Sequence, residues 1–131
     1  NVFNGEEAYA LALKENNEAI GAIELKLRGN TKLTDKDDEC ELGYWLGKKF
    51  WGRGLMPEAV REILRHAFCD LGMTKVWCGY YTGNEKSKRV QEKCGFLPQK
   101  VIKDEYLPLM DEKRDVNVNL LTREEFLKKE G

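Results

Sequence analysis

The sequence predicts one α/β (α+β) domain built on a mixed, mostly antiparallel sheet with a central parallel strand–helix–strand pair. Three observations predict this class. Short runs rich in β-branched and aromatic residues recur along the chain, and two of them, at 41–46 and 74–81, flank an amphipathic helical pattern at 57–71. A helix between two strands joins parallel neighbours, whereas short links join antiparallel ones. The length of 131 residues fits one domain with a modest core.

The first half of the chain predicts three strands. Apolar residues dominate 8–13 and 19–27, and the Asn16–Asn17 pair between them favours a hairpin because asparagine tolerates positive φ. The polar segment 28–39 indicates a loop, which leads to the third strand at 41–46.

The helical pattern at 57–71 has apolar residues at three- and four-residue spacing, which is typical of a helix with one buried face. Pro57 fits the first turn and Gly72 fits a C-terminal cap. The single histidine, His66, lies off the apolar stripe, so a solvated or rim position is expected rather than a catalytic one.

The second half of the chain continues with elements that are each bounded by turn or capping residues. In order they are a strand at 74–81, a helix at 84–94 with Asn84 as N-cap and Gly95 past its end, a strand at 96–102, a long and potentially functional loop at 103–115, a strand at 116–121, and a helix at 122–129 with a Thr122–Glu125 capping box.

Composition excludes several function classes. The net charge of −1 gives no global field for nucleic acid or an anionic membrane, and no apolar run approaches the roughly 20 residues of a membrane span. One histidine and no metal-ligand spacing predict no metal site. The cysteines lie far apart in the sequence, without a C-x-x-C pair, and inside otherwise apolar segments, which favours buried, reduced thiols in a cytoplasmic protein over disulfides. The four cysteines are Cys40, Cys69, Cys78 and Cys94.

The link between the third strand and the helix, "LGKKFWGRGL" at 46–55, has two interpretations. Its glycines can form a tight turn that lets the helix pack closely on the sheet. Alternatively, the unpaired N–H groups of the helix start, with Lys48, Lys49 and Arg53 around them, can hold phosphate oxygens. The link is neither a P-loop nor a Rossmann turn, since Pro57 occupies the place of the third Rossmann glycine. It therefore predicts a pyrophosphate cradle of another kind.

This turn resembles the coenzyme-binding turn of the GNAT N-acetyltransferase family, Q/R-x-x-G-x-G/A. Lys49, Gly52 and Gly54 match that pattern, and lysine at the first position is a departure from it. The "WGRG" sequence at 51–54 leads into Glu58–Ala59, which is similar to the RimJ/RimL branch of the family. That branch acetylates the N-terminal amines of ribosomal proteins.

A second motif, "NEKSKRVQEKCGF" at 84–96, could alone be an N-capped helix that ends at a glycine. Asn84, Ser87 and the closing Gly95–Phe96 nevertheless resemble the "N-x-x-S…GF" signature of the RimJ/RimL branch. The resemblance runs from about residue 8 to residue 126, and the combination of the two motifs is specific for the family.

The resemblance implies that acetyl-CoA is the acetyl donor and that transfer to a primary amine is direct. Backbone amides at the helix start would hold the pyrophosphate, the strand before the turn would line the pantetheine arm, and the N–H of Leu46 would polarise the carbonyl. The residues assigned to coenzyme binding are Leu46, Gly47, Lys49, Trp51, Gly52, Arg53, Gly54, Leu55, Asn84, Ser87 and Lys88.

Two residues are assigned to catalysis, Ser87 by the same resemblance and Glu41 by its position just before the strand that would line the coenzyme. Many members have a tyrosine four residues before the closing Gly-Phe as general acid toward the coenzyme thiolate, and this chain has Gln91 there, so Ser87 takes that role. Glu41 is the candidate general base, directly or through a water, and the alternative is a solvated carboxylate at the strand end. Tyr106 and Asp115 are candidates for shaping the acceptor site.

The family fold normally opens with a strand and two helices that form one wall of the acceptor cleft. None precedes Asn1, so a single GNAT domain over 1–131, truncated at its N-terminus, is expected. Strand 8–13 would then have an unpaired edge, which predicts a homodimer or another covering partner. Three functions stay open: a RimJ/RimL-type acetyltransferase, an acetyltransferase for a small amine such as an antibiotic or a polyamine, and a catalytically silent acyl-CoA-binding regulator or subunit.

Overall fold

A computed structural model of the chain describes residues 6–12, 19–27, 31, 33–34, 36–47, 54–107 and 112–130. Its elements are β1 (Glu6–Ala12), β2 (Ala19–Lys26), β3 (Glu39–Leu46), α1 (Leu55–Arg65) with a π-helical continuation (His66–Asp70), β4 (Lys75–Tyr81), α2 (Glu85–Lys93), β5 (Leu97–Leu107), β6 (Glu112–Thr122) and α3 (Arg123–Glu130). Within the described residues, no helix has the length and apolar character needed to cross a membrane.

The strands form one sheet of six in the order β1-β2-β3-β4-β6-β5. β3 and β4 are parallel and are joined through α1, whereas every other neighbouring pair is antiparallel. The predicted mixed sheet with a central parallel strand–helix–strand pair is therefore confirmed, as is the first hairpin. The predicted turn residues of that hairpin, Asn16 and Asn17, lie outside the described part of the chain.

One face of the sheet and the helices enclose the core. The alternation of β3 and β4 sends every second side chain to this face, and the apolar stripe of α1 packs on it. The core residues include Ile23, Leu25, Cys40, Leu42, Val76, Cys78 and Leu121 from the strands and Val60, Ile63, Leu64, Phe68 and Phe126 from the helices. Burial of each large apolar side chain contributes about 1.5–3 kcal/mol, so this layer fixes the sheet against α1.

The helix predicted at 57–71 starts earlier and changes type before its end. Gly54 caps α1 in the left-handed conformation, and Pro57 lies in the first turn, where a missing N–H is tolerated. From His66 the backbone widens into a π turn, in which the N–H of Leu71 donates to the carbonyl of His66 at 3.0 Å. Gly72 follows at φ +72°, which confirms the predicted C-terminal glycine.

The end of the chain confirms the predicted capping box. The backbone N–H of Glu125 donates to the hydroxyl oxygen of Thr122 at 3.2 Å, and the N–H of Thr122 donates to the Glu125 carboxylate at 3.3 Å. α3 then lies over the π turn, where the rings of Phe126 and Phe68 are 5.1 Å apart. His66 is partly exposed on the same turn, and its Nδ1 lies 2.9 Å from the Asp70 carboxylate, so the predicted rim position is confirmed.

The prediction of a functional loop at 103–115 is wrong. β5 continues to Leu107 and β6 begins at Glu112, so most of this segment belongs to a long antiparallel arm. Asp104 has a φ of 54° at a register shift, and Asp115 accepts hydrogen bonds from the Asp104 N–H at 3.1 Å and from Lys103 Nζ at 3.2 Å. These bonds lower the pKa of Asp115 and hold the bulge, so Asp115 has a structural role in this hairpin.

The four cysteines all lie in the described part of the chain, and none forms a disulfide. Cys40, Cys78 and Cys94 are buried, as predicted, whereas Cys69 is exposed, so the prediction is wrong for that residue. Cys69 follows Phe68 on the π turn and points away from the core that Phe68 enters.

Thiol labelling checks this difference. In the folded protein we expect one thiol of four to react rapidly with dithionitrobenzoate, because burial raises the pKa of the Cys78 and Cys94 thiols and limits access to them. The other three should react only after addition of denaturant. Cys69→Ser should abolish the rapid phase, and a rapid phase of more than one thiol in the unaltered chain would contradict the burial described here.

Candidate active site

The two central strands diverge at one end of the sheet. β3 and β4 pair from Glu39–Lys75 to Leu42–Cys78, and among the described residues no pairing between them continues beyond that point. Both strands nevertheless extend further, β3 to Leu46 beside β2 and β4 to Tyr81 beside β6. We call the space between 43–46 and 79–81 the fork. Because the two strands are parallel, α1 and α2 both start at this end of the sheet.

The β3 side of the fork offers backbone groups to a ligand. Successive amides of a strand point alternately to its two sides, and from Gly43 to Leu46 one side is already paired with β2. The N–H and C=O groups of the other side face the fork. A ligand with amides in an extended chain can therefore pair with β3 as an added strand, and the pantetheine arm of coenzyme A has that chemistry.

The start of α1 is held in a conformation that favours glycine. Gly54 has φ 74° and ψ 7°, and a Cβ atom built there would meet nothing within 4 Å. Leu55 opens the helix directly after it. The other residues predicted for the cradle, Lys49, Trp51, Gly52 and Arg53, lie outside the described residues, so their role stays a prediction.

The start of α2 lies next to the fork and is capped as predicted. Asn84 Oδ1 accepts a hydrogen bond from the backbone N–H of Ser87 at 3.2 Å. This bond fixes Ser87 in the first turn of the helix and leaves the donor nitrogen of the Asn84 amide for other partners. Lys88, one residue later, lines a cavity of about 670 Å³ together with Tyr80, Phe96 and other residues.

A pair of hydrogen-bonded hydroxyl groups joins β3 to the start of α2 beside the fork. Ser87 Oγ lies 2.7 Å from the hydroxyl of Tyr44, which comes from β3. Gln91 Nε2 lies 3.2 Å from both hydroxyl oxygens and 3.2 Å from the Gly79 carbonyl oxygen. Asn119 Nδ2 in turn donates to Gln91 Oε1 at 2.7 Å. We call this set, Tyr44, Gly79, Ser87, Gln91 and Asn119, the hydroxyl network.

The hydroxyl network is largely buried. Only 1% of Gln91 is exposed, and both polar atoms of its side chain form hydrogen bonds within the hydroxyl network. Burial is the main reason that the pKa of Tyr44 is raised, and the nearby Cys78 thiol raises it further. Tyr44 therefore stays protonated in neutral and mildly alkaline solution. The arrangement places the hydroxyl groups of Tyr44 and Ser87, each with one proton, between β3 and the start of α2.

The sequence pattern does not predict the hydrogen bond of Tyr44 to Ser87 or the use of Gln91. It predicts Tyr44 only as part of a strand that lines the pantetheine arm, and Gln91 only as a replacement for a proton-donating tyrosine. One signal was present: Cys40, Leu42 and Tyr44 alternate on the buried face of β3, and a buried tyrosine hydroxyl needs a partner. The contact between residues 44 and 87 has no local sequence signal.

The structure does not place Glu41 with Ser87 on one face of the sheet. Glu41 is the third residue of β3, since the strand begins at Glu39 and not at 41, and alternation directs it to the face opposite Tyr44. Its carboxylate accepts a hydrogen bond from the Thr31 hydroxyl at 2.5 Å. The adjacent acidic residue of that face, Glu39, is only 9% exposed and accepts from Trp77 Nε1 at 2.8 Å.

Several acetyltransferases are similar in sequence to this chain. The E. coli [ribosomal protein uS5]-alanine N-acetyltransferase is 31% identical over 83 residues, which are 63% of this chain and 42% of that protein. The Aspergillus fumigatus FsC-acetyl coenzyme A-N(2)-transacetylase is 34% identical over 95 residues, 71% of this chain and 40% of that protein. The matched part spans 36%, 40% and 51% of the length of three curated relatives.

Solved structures and a family model agree with these relatives. The structure of Mycobacterium smegmatis RimJ in complex with CoA-disulfide superposes with a TM-score of 0.80 at 21% identity, over 94% of this chain and 56% of that chain, and so has the same fold. The relatives named as ribosomal-protein N-acetyltransferases support the predicted RimJ/RimL-like branch. The model of the Acetyltransferase (GNAT) domain matches residues 2–97. The chain therefore belongs to the GNAT acetyltransferase family.

Proposed function

We propose that this chain forms the coenzyme-binding part of an N-acetyltransferase, which moves an acetyl group from acetyl-CoA to a primary amine by direct attack. The acceptor would be a protein N-terminus or a small amine. The fork is the observation that carries this proposal, because it combines one-sided strand backbone with two helix starts at the same end of the sheet. Family membership and the names of the relatives support the same activity.

Within this proposal, the β3 side of the fork and the two helix starts beside it bind the coenzyme by three kinds of contact. The backbone from Gly43 to Leu46 pairs with the amides of the pantetheine arm, and the N–H of Leu46 polarises the acetyl carbonyl. The first amides of α1, at Gly54 and Leu55, hold the pyrophosphate with the preceding Lys49–Arg53 segment. The Asn84 amide contacts the arm from the start of α2.

Ser87 would hold a hydrogen bond to the thioester sulfur while the carbon–sulfur bond breaks. That bond stabilises a charge that develops only as the sulfur takes the electron pair, and one proton released by the attacking amine finally balances the thiol product. Glu41 stays our candidate base for that amine proton. Direct transfer is favoured over an acyl-enzyme because burial raises the pKa of the Cys78 thiol, whose Sγ lies 3.4 Å from the carbonyl oxygen of Leu42.

Replacement of Gly54 by valine tests the binding site. We expect a Kd for acetyl-CoA that is raised roughly thirtyfold, or about 2 kcal/mol, because a β-branched residue disfavours the left-handed conformation and adds bulk where the pyrophosphate would approach. Isothermal titration calorimetry measures this change.

Gly72→Val is the matched control. Gly72 has φ +72°, and a Cβ there also meets nothing within 4 Å, but it lies after the opposite end of the α1–π helix. Both variants should lose similar stability, and only Gly54→Val should lose affinity. Undiminished affinity in folded Gly54→Val would contradict the pyrophosphate assignment.

A panel of acceptors tests the reaction. Acetyl transfer to peptides that carry the N-termini of ribosomal proteins would support the RimJ/RimL-type function, and transfer only to polyamines or aminoglycosides would support a small-amine enzyme. Coenzyme binding with no transfer to any amine would instead identify a catalytically silent acyl-CoA-binding module. Gln91 gives that alternative its basis, since it occupies the position of the usual tyrosine acid.

A further inference from the structure

The hydrogen bonds of the hydroxyl network fix the orientation of its side chains more closely than a binding role for Ser87 requires. The Gln91 amide is fixed in one orientation, because the Gly79 carbonyl oxygen beside it can only accept a hydrogen bond, and the Gln91 oxygen then accepts from Asn119 Nδ2 at 2.7 Å. Its nitrogen must therefore face Tyr44, Ser87 and the Gly79 carbonyl, each at 3.2 Å. A carbonyl oxygen can only accept, so one of the two amide protons goes to Gly79 and the other is shared by the two hydroxyl oxygens.

Between the two hydroxyls, the bond of 2.7 Å uses one of their two protons. A phenol is a stronger acid than an alcohol, so the better donor is Tyr44 and the better acceptor is Ser87 Oγ. The backbone carbonyl of Ser87 lies further from the Tyr44 hydroxyl, at 3.3 Å. Among the residues that the structure describes, Ser87 Oγ has Tyr44 and Gln91 as its hydrogen-bond partners, and both can donate to it. The proton of Ser87 is thus left for a ligand.

We propose that Tyr44 is the positioning residue of this site, because its hydrogen bond to Ser87 Oγ directs the hydroxyl proton of Ser87 toward the sulfur of the coenzyme. This role rests on the proposed function. Hydrogen bonds in a chain polarise one another, so the bond from Tyr44 also makes Ser87 a stronger donor. The buried amide of Gln91 and its partner Asn119 keep this series of hydrogen bonds running in the same direction, from Tyr44 to Ser87.

The thiol pKa of coenzyme A in its complex with the protein measures this effect without any acceptor amine. Ser87 should stabilise the thiolate and lower that pKa relative to the thiol of coenzyme A in solution. We expect Ser87→Ala to raise it by roughly one to two units, the effect of one hydrogen bond to a charged group. Tyr44→Phe should raise it by about half a unit or more. Ultraviolet absorbance of the thiolate against pH gives these values.

The double variant separates a positioning role from an independent one. If Tyr44 acts through Ser87, then Tyr44→Phe has no further effect in the Ser87→Ala protein, and the double variant equals Ser87→Ala. Thr82→Val, which removes an exposed hydroxyl that accepts from Asn117 Nδ2 at 2.8 Å outside the hydroxyl network, is the control and should leave the thiol pKa unchanged. The titration of each protein without coenzyme is subtracted. The nearby Cys78 and Cys94 add little to it, because burial raises the pKa of both thiols.

Tyr44→Phe is expected to fold. Phenylalanine keeps the ring beside the core, and Gln91 Nε2 retains the Gly79 carbonyl and Ser87 Oγ as acceptors. If Tyr44→Phe binds coenzyme A normally and leaves the thiol pKa unchanged, the positioning role of Tyr44 is overturned and the proposed function is not. An effect of Tyr44→Phe that persists in the Ser87→Ala background would overturn the positioning role as well. Failure of the unaltered chain to bind coenzyme A would overturn the proposed function, and this role with it.

Discussion

Replacing Ser87 with alanine is expected to lower kcat by roughly ten- to a thousand-fold and to change the Kd of acetyl-CoA little. The hydroxyl acts on a charge that appears only as the thioester breaks, so its loss weakens the transition state more than the bound ground state. Ser87 is the only serine of the chain, and no second serine can substitute for it. The measurement combines steady-state kinetics, with whichever acceptor gives turnover, and calorimetry with acetyl-CoA.

Thr82→Ala is a suitable control for that experiment. Thr82 also has a hydroxyl near the start of α2, but it is exposed and accepts a hydrogen bond from Asn117 Nδ2 at 2.8 Å, outside the hydroxyl network. Its replacement should leave kcat close to that of the unaltered chain. If Ser87→Ala keeps kcat and weakens the Kd instead, Ser87 is a binding residue and another group must stabilise the charge on the sulfur.

Much of the fold could be predicted from the sequence because local signals and tertiary packing agree. The α1 pattern, the Asn84 cap and the Thr122–Glu125 capping box each have a clear local sequence signal, and the structure confirms them. The sequence also predicts strands at 96–102 and 116–121, but the extension of this hairpin through 103–107 and 112–115 could not be predicted in this way. Its residues include Asp104 and a nearby proline, which favour loops, and only the paired strand and the Asp115 carboxylate keep it extended.

The candidate site likewise has a part that local sequence signals predict and a part that they do not. Asn84 and Ser87 belong to one helix start, so their spacing alone predicts that they act together, and the cap bond confirms their proximity. Tyr44, which bonds to the Ser87 hydroxyl, comes from β3, and Asn119, which donates to Gln91, comes from β6. Both are far from α2 in sequence, and their contacts depend on how the sheet diverges. Local pattern cannot report such contacts. It showed Gln91 as a missing acid, whereas the structure shows the amide that orders the two hydroxyls.

Replacing Gln91 with leucine is expected to lower the free energy of unfolding by about 2–4 kcal/mol. Leucine has a similar volume but no polar atoms, so the buried Asn119 amide and the Gly79 carbonyl would each lose a partner in the interior. The expected loss is large because a half-satisfied buried network is less stable than either a complete one or an apolar core. Denaturant unfolding followed by circular dichroism measures the change.

Gln99→Leu is the matched control, since the chain has two glutamines and Gln99 is exposed on β5. The same substitution there should change the free energy of unfolding by less than about 0.5 kcal/mol. Gln91→Leu should also remove the orientation of the hydroxyl pair, so coenzyme binding by the folded variant should keep most of its affinity while kcat falls. A variant at position 91 as stable as the Gln99 control would show that water replaces the amide, and that the hydroxyl network is more accessible to solvent than its burial indicates.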